Sequence, residues 1–228
     1  MLQSTRRGRQ AFLAGALMGA ALLGLPSSAG AHPHVWATVR SEIVFGPDHK
    51  MTGIRHAWTF DEFYSAMAVQ GLDADGDGVY SKEELDPLAK VNVDSLKEFA
   101  YFTFVRAAGN DNFLPLEPPE DYSIDYDGTL ITLHFTLPLQ TAVDPGTKAV
   151  TVDVYDPSFF VAFGFAEKAP VKVAGTPAEG CTATMETPDR EVAEAAKALS
   201  ESFFSQLGPG SDYGSQFAQT VTVQCATQ

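Results

Sequence analysis

The chain has 228 residues, 45% of them hydrophobic and 19% charged, with a formal charge of −14. That length and apolar content suffice for one well-buried domain or two small ones. The acidic balance repels nucleic acid and anionic lipid alike, so neither is an expected partner, while divalent cations are attracted.

The chain opens on a basic start, Arg6, Arg7 and Arg9, followed by an apolar run from Ala11 to Leu25. That run is too short to span a bilayer comfortably, and Ser27-Ser28-Ala29-Gly30-Ala31 supplies a small-residue cleavage site. A secretory signal peptide over 1–31 is the reading, with export through the general secretory route to the periplasm. Gly8-Arg9-Gln10 delays the apolar residues that a twin-arginine signal brings sooner. No cysteine follows the site, so no lipid anchor is indicated, and no stable membrane insertion is expected after cleavage. The mature chain then begins at His32. Its charge falls to −17, because the leader removes three basic residues and no acidic ones.

His34 to Phe45 alternates and is rich in branched residues, which predicts a strand. Met51 to Trp58 reads as its neighbour across Gly46-Pro47-Asp48. Thr59 with Glu62 then makes a capping box, and Phe60, Phe63, Tyr64, Met67 and Ala68 follow helical spacing. Asp61 and Glu62 invite a general acid/base reading, but a place in the first turn of a capped helix explains them.

That helix leads into Asp73-Ala74-Asp75-Gly76-Asp77-Gly78-Val79-Tyr80-Ser81-Lys82-Glu83-Glu84, a complete calcium loop of the EF-hand type. Asp73, Asp75, Asp77 and Glu84 occupy positions one, three, five and twelve. Gly78 stands at position six, where the chain must turn sharply. Val79 offers its carbonyl at position seven, and Ser81 ligates at nine directly or through water. Calcium is a hard cation that takes six to eight oxygens, and no sulfur or imidazole intrudes. With no second loop, the single one reads as a structural staple rather than a regulatory pair. Pro87 follows closely, so the exiting helix is either kinked or restarted with Asp86 as its cap.

Strands are predicted at Phe102 to Arg106, Tyr122 to Tyr126, Leu130 to Pro138 and Ala149 to Tyr155, with shorter ones at Phe159 to Phe165 and Val171 to Val173. A last helix is marked by Thr187-Pro188 at its start and Gly208-Pro209 at its end. Phe217 to Cys225 closes the chain as a strand. Cys181 and Cys225 are the only cysteines, and in an oxidising compartment their default is a disulfide. The aromatic run Tyr155, Phe159, Phe160, Phe163 and Phe165 reads as core. The fold class is therefore α+β: a single domain over 32–228, β-rich, with a helical EF-hand-type insertion over 59–100 and a C-terminal helix.

Cleavage after Ala31 exposes His32-Pro33-His34. A free N-terminal histidine offers an amine and an imidazole, a bidentate chelate for copper, nickel, cobalt or zinc. In a strand His34 shares its face. His56 is the third candidate ligand, and His49, His134 and Asp61 are possible further ones. No hydrolase, metalloprotease, thiol-redox or phosphate-loop motif occurs, so no enzyme is expected.

His32-Pro33-His34-Val35, Trp58-Thr59-Phe60-Asp61-Glu62-Phe63, the calcium loop, Lys97-Glu98-Phe99-Ala100-Tyr101-Phe102-Thr103 and Tyr155-Asp156-Pro157-Ser158-Phe159 occur in that order. As an ordered set they resemble the bacterial domain-of-unknown-function family 1007. The resemblance implies a periplasmic component of an uncharacterised ABC-type transport system, in settings of nickel, cobalt or zinc transport. One short β-rich chain lacks the two α/β lobes of a typical solute receptor. The expectation is thus an accessory metal-binding protein that serves a membrane metal permease. The alternative is a calcium-stabilised envelope interaction module with no transition-metal role. A copper enzyme using the histidine terminus is a third reading.

Overall fold

The computed structural model describes residues 34–187 and 212–226. Alternating apolar residues build a long antiparallel pair, β1 (Val35–Phe45) and β2 (Met51–Phe60), whose odd-numbered β1 positions point inward. After α1 (Glu62–Ala68) and α2 (Lys82–Leu96), a 3-10 turn (Lys97–Phe102) leads into β3 (Thr103–Ala107). Then follow β4 (Glu120–Tyr126), β5 (Ile131–Val143), β6 (Val150–Val154), β7 (Val161–Phe165), β8 (Val171–Gly175) and β9 (Thr182–Glu186). A second 3-10 turn (Tyr213–Phe217) precedes β10 (Gln219–Gln224).

The strands form two sheets. The six-stranded one runs β4-β5-β2-β1-β7, with β8 continuing beside β1 beyond β7; the four-stranded one runs β3-β6-β10-β9. Two apolar clusters divide the inner face of the larger sheet. Ile43, Phe45 and Ile54 meet Val105, Val152, Val221 and Val223 of the smaller sheet. Val39, Trp58, Leu133 and Phe135 instead meet Leu85, Ala89 and Val93 of α2. Each such fully buried large side chain contributes about 1.5–3 kcal/mol relative to exposure. Cys181 and Cys225 form a disulfide that ties the start of β9 to the end of β10.

The α+β expectation is corrected. The fold is mostly β sheet, with two α-helices among the described residues, and it does not frame a helical EF-hand insertion over 59–100. The entering helix is too short and stops too soon. α1 ends at Ala68 with Val69 as its C-cap, and Leu72 N–H folds back to Val69 O at 3.1 Å. Gly71 at φ 79° lets the chain turn there, so four residues separate the helix from Asp73. The capping box at Thr59 is also displaced. β2 continues through Phe60 because Thr59 Oγ1 bonds Thr132 Oγ1 at 2.9 Å, and Asp61 caps α1 through Tyr64 N–H instead. Nor does a helix restart at Asp86. Ser81 caps a single α2 with Pro87 inside it, where the proline ring removes the amide that would bond the Glu83 carbonyl. The predicted C-terminal helix and the signal peptide lie outside the described residues. Sequence reading left out β9, a short half-exposed strand assembled by its pairing with β10.

Candidate metal centre

Residues 73–84 connect two anchored points. Leu72 and Tyr80 pack against the main core cluster, and Tyr80 meets the Tyr126 ring edge-on at 5.0 Å between centroids. Between these anchors the backbone amides turn inward and orient the carboxylates. Gly76 N–H and Gly78 N–H donate to the two Asp73 oxygens at 2.8 and 3.1 Å. Asp77 N–H donates to Asp75 Oδ1 at 3.1 Å, and Val79 N–H to Asp77 Oδ1 at 2.7 Å. Gly76 and Gly78 adopt φ 75° and 80°, yet a Cβ at either would meet nothing within 4 Å. These glycines supply a left-handed backbone rather than clearance.

Glu84 fastens both limbs of the loop. Its Oε1 accepts Ala74 N–H at 2.7 Å, and its Oε2 accepts both Ser81 N–H and Ser81 Oγ–H at 2.9 Å. These bonds, led by the Ser81 amide, hold its carboxyl below the usual glutamate range. Ligand oxygens of Asp73, Asp75 and Glu84 converge within 4.8 Å of one another. With calcium–oxygen distances of about 2.3–2.6 Å, oxygens on opposite sides of one ion lie roughly 5 Å apart, so this trio can share one. Asp77 stands outside the converging trio, turned to Val79 N–H. Among the described residues no cation pairs with the four carboxylates: Lys82 is engaged instead by Asp86 at 2.7 Å. The donor set is hard oxygen throughout and carries uncompensated negative charge, which fits calcium.

The histidines do not assemble. His34 is exposed at the start of β1, where its ring stacks on Phe160 at 4.6 Å and its N–H bonds Phe160 O at 2.9 Å. His56 lies 1% exposed inside the sheet, with Nδ1 bonded to Ser41 Oγ at 2.9 Å and Nε2 to Thr103 Oγ1 at 3.2 Å. Burial lowers its pKa to about 3, so the ring is neutral. His56 pairs with Ser41, seven residues along β1 from His34; at ~3.3 Å per residue that is about 23 Å, too far to share an ion. His49 bonds Thr176 O, and His134 Nε2 meets Asp125 Oδ2 at 2.9 Å. His32 lies outside the described residues. Asp61 is a structural cap whose second oxygen accepts Trp36 N–H at 2.9 Å. Of the aromatic run, Phe163 packs on Trp58, while Phe160 remains 45% exposed. Sequence reading did not single out Tyr80 as the anchor of the loop on β4, although an apolar residue at position eight was its signal.

Sequence comparison relates the chain to known proteins. Residues 17–225 match the family described as "Protein of unknown function (DUF1007)". The chain belongs to that family. An uncharacterized protein of Haemophilus influenzae is 26% identical over 208 residues, covering 90% of this chain and 97% of the relative. An uncharacterized 15.5 kDa protein in the trpE 3'region of Spirochaeta aurantia is 32% identical over 108 residues, covering 47% of this chain and 75% of that one. The family description names no transport system, so the ABC-transport association remains an implication of the resemblance. Among the described residues no helix is long and apolar enough to cross a membrane.

Proposed function

We propose that this chain is an exported periplasmic protein whose residues 73–84 hold one calcium ion as a structural clasp. Asp73, Asp75 and Glu84 supply the first oxygens, with Asp77, the Val79 carbonyl and Ser81 completing the set on binding. The observation that carries this reading is the convergence of three carboxylates within 4.8 Å, none of them in an ion pair among the described residues. Calcium would join the end of the Val69–Leu72 turn to the start of α2. Both limbs reach the core through Leu72 and Leu85, so the ion secures α2 against the larger sheet.

On this clasp we build the wider role: an accessory metal-binding component of a nickel, cobalt or zinc transport system, with His32 and His34 as the transition-metal ligands and a membrane permease as partner. What supports it is the family resemblance together with the exposed position of His34 at the N-terminal end of β1. His56 is not part of this proposal, since both its nitrogens are engaged. The second reading, an envelope interaction module, is favoured by Trp36, Phe63 and Phe160. These are 55%, 70% and 45% exposed, and main-chain bonds to Asp61 and His34 gather them at that same end.

Native mass spectrometry on processed protein retaining the His32 terminus, offered each metal in turn, tests the role. One transition-metal ion bound by wild type and lost in His34→Ala supports transport. No uptake of nickel, cobalt, zinc or copper by wild type leaves the interaction module.

A further inference from the structure

The outward face of the larger sheet carries a basic recess in an otherwise acidic protein. Positions on that face alternate with the buried ones, so register decides which side chains meet. Arg40, Ala57 and His134 lie abreast on β1, β2 and β5, and Glu42 lies between Lys172 on β8 and Arg55 on β2. Arg40 and Lys172 are then diagonal neighbours, about 7–8 Å apart at the backbone. Between β7 and β8 the chain keeps its bonds to β1, Ala166 N–H to Val39 O and Ser41 N–H to Pro170 O, both at 2.9 Å. Opposite the single residue Arg40 it extrudes 167–169, with Ala169 at φ 49°. This bulge walls a cavity of about 230 Å³ floored in part by Ala57.

The cations in this recess are unequally committed. Arg55 is paired with Glu42 at 2.8 Å, and His134 faces Asp125. Arg40 and Lys172 have no ion pair or side-chain hydrogen bond among the described residues. Two uncommitted cations on one rim, beside methyl groups and the aliphatic stems of arginine, suit a ligand with anionic ends and a hydrocarbon middle. The guanidinium fork matches a carboxylate bidentately, and an ammonium holds a second as a point charge. A cavity of about 230 Å³ has room for a short dicarboxylate together with several waters.

We propose that this recess is a binding site for a small di- or tricarboxylate, held by Arg40 and Lys172. It is remote in sequence from the calcium loop and does not depend on it. Isothermal titration of the processed protein, in calcium-containing buffer, with succinate and with the weak calcium chelator tricarballylate tests the site. Inorganic phosphate is the parallel arm. The expected result is one saturable carboxylate site, weakened about tenfold or more in both Arg40→Gln and Lys172→Gln, as loss of a charge-assisted bond requires. Both residues are exposed, so both variants should keep the parent Tm. No saturation by either carboxylate, unchanged affinity in the two variants, or phosphate binding as tightly as the carboxylates would each overturn the assignment.

Discussion

Replacing His56 by Gln separates a core histidine from a metal ligand. The folded ring has its pKa lowered from 6.5 to about 3 by complete burial. Between those two values the unfolded chain binds a proton that the folded chain refuses. The neutral ring therefore costs nothing above pH 6.5, and folding stability falls as the pH drops from 6.5 towards 3. At pH 5, some 1.5 pH units below the unfolded pKa and at ~1.36 kcal/mol per unit, the loss relative to pH 7 is about 2 kcal/mol. His56→Gln removes this titration while leaving an amide to meet Ser41 and Thr103. Its cavity and hydrogen-bond defects are independent of pH. Urea unfolding of both proteins at pH 7 and pH 5 yields the double difference, in which the carboxylates cancel. Wild type should lose about 2 kcal/mol more than the variant over that interval. Equal losses would refute the argument and reopen His56 as a group that protonates, or binds metal, in the folded state.

Other perturbations read other parts of the fold. Changing Cys181 and Cys225 together to Ala removes a link of 44 residues' separation; chain entropy predicts a loss of roughly 3–4 kcal/mol, checked by denaturant unfolding of oxidised wild type against the variant. Ala100, exposed at φ 51° just before two more left-handed residues, is strained for any side chain; Ala100→Gly should raise stability by about 1 kcal/mol, read as a higher urea midpoint at unchanged slope. Gly53 faces the opposite case, because a Cβ there would meet the Leu137 carbonyl at 2.6 Å where β2 and β5 slip register. Gly53→Ala should lower the thermal midpoint by several degrees, about what 1–3 kcal/mol of overpacking produces.

Much of the sheet was legible because its residues alternate. β1, β2, β5 and β6 follow runs of branched and aromatic residues whose period of two is a local property. The phase of that alternation carries information as well. His56 is in step with Ile54 and Trp58, and that phase alone marks it as inward-facing. Helix starts were harder, since Thr59 and Asp61 are both capping residues. The choice between them rests on Thr132, 73 positions away. β9 has little apolar content of its own and exists through β10. The acidic segment 73–84 is contiguous, so its spacing of carboxylates and glycines could be read directly; the short helix before it, ended by the Val69–Gly71 turn, could not. The basic recess was invisible for a different reason. Arg40 and Lys172 are brought together by a parallel pairing of β8 with β1, and no spacing within the sequence encodes that contact.

The central claim is that residues 73–84 hold calcium, and calcium titration of the metal-stripped processed protein tests it most directly. Isothermal calorimetry with wild type should give one site. Asp73→Asn and Glu84→Gln, each deleting one charge of the converging trio, should weaken it by at least about tenfold, the loss of one charge-assisted contact. Excess calcium should then stabilise wild type by RT ln(1 + [Ca]/Kd), and the variants by about 1.4 kcal/mol less for each tenfold loss of affinity, read as a smaller rise in thermal midpoint. A wild-type protein that takes up no calcium, or binds it identically in both variants, would contradict the account.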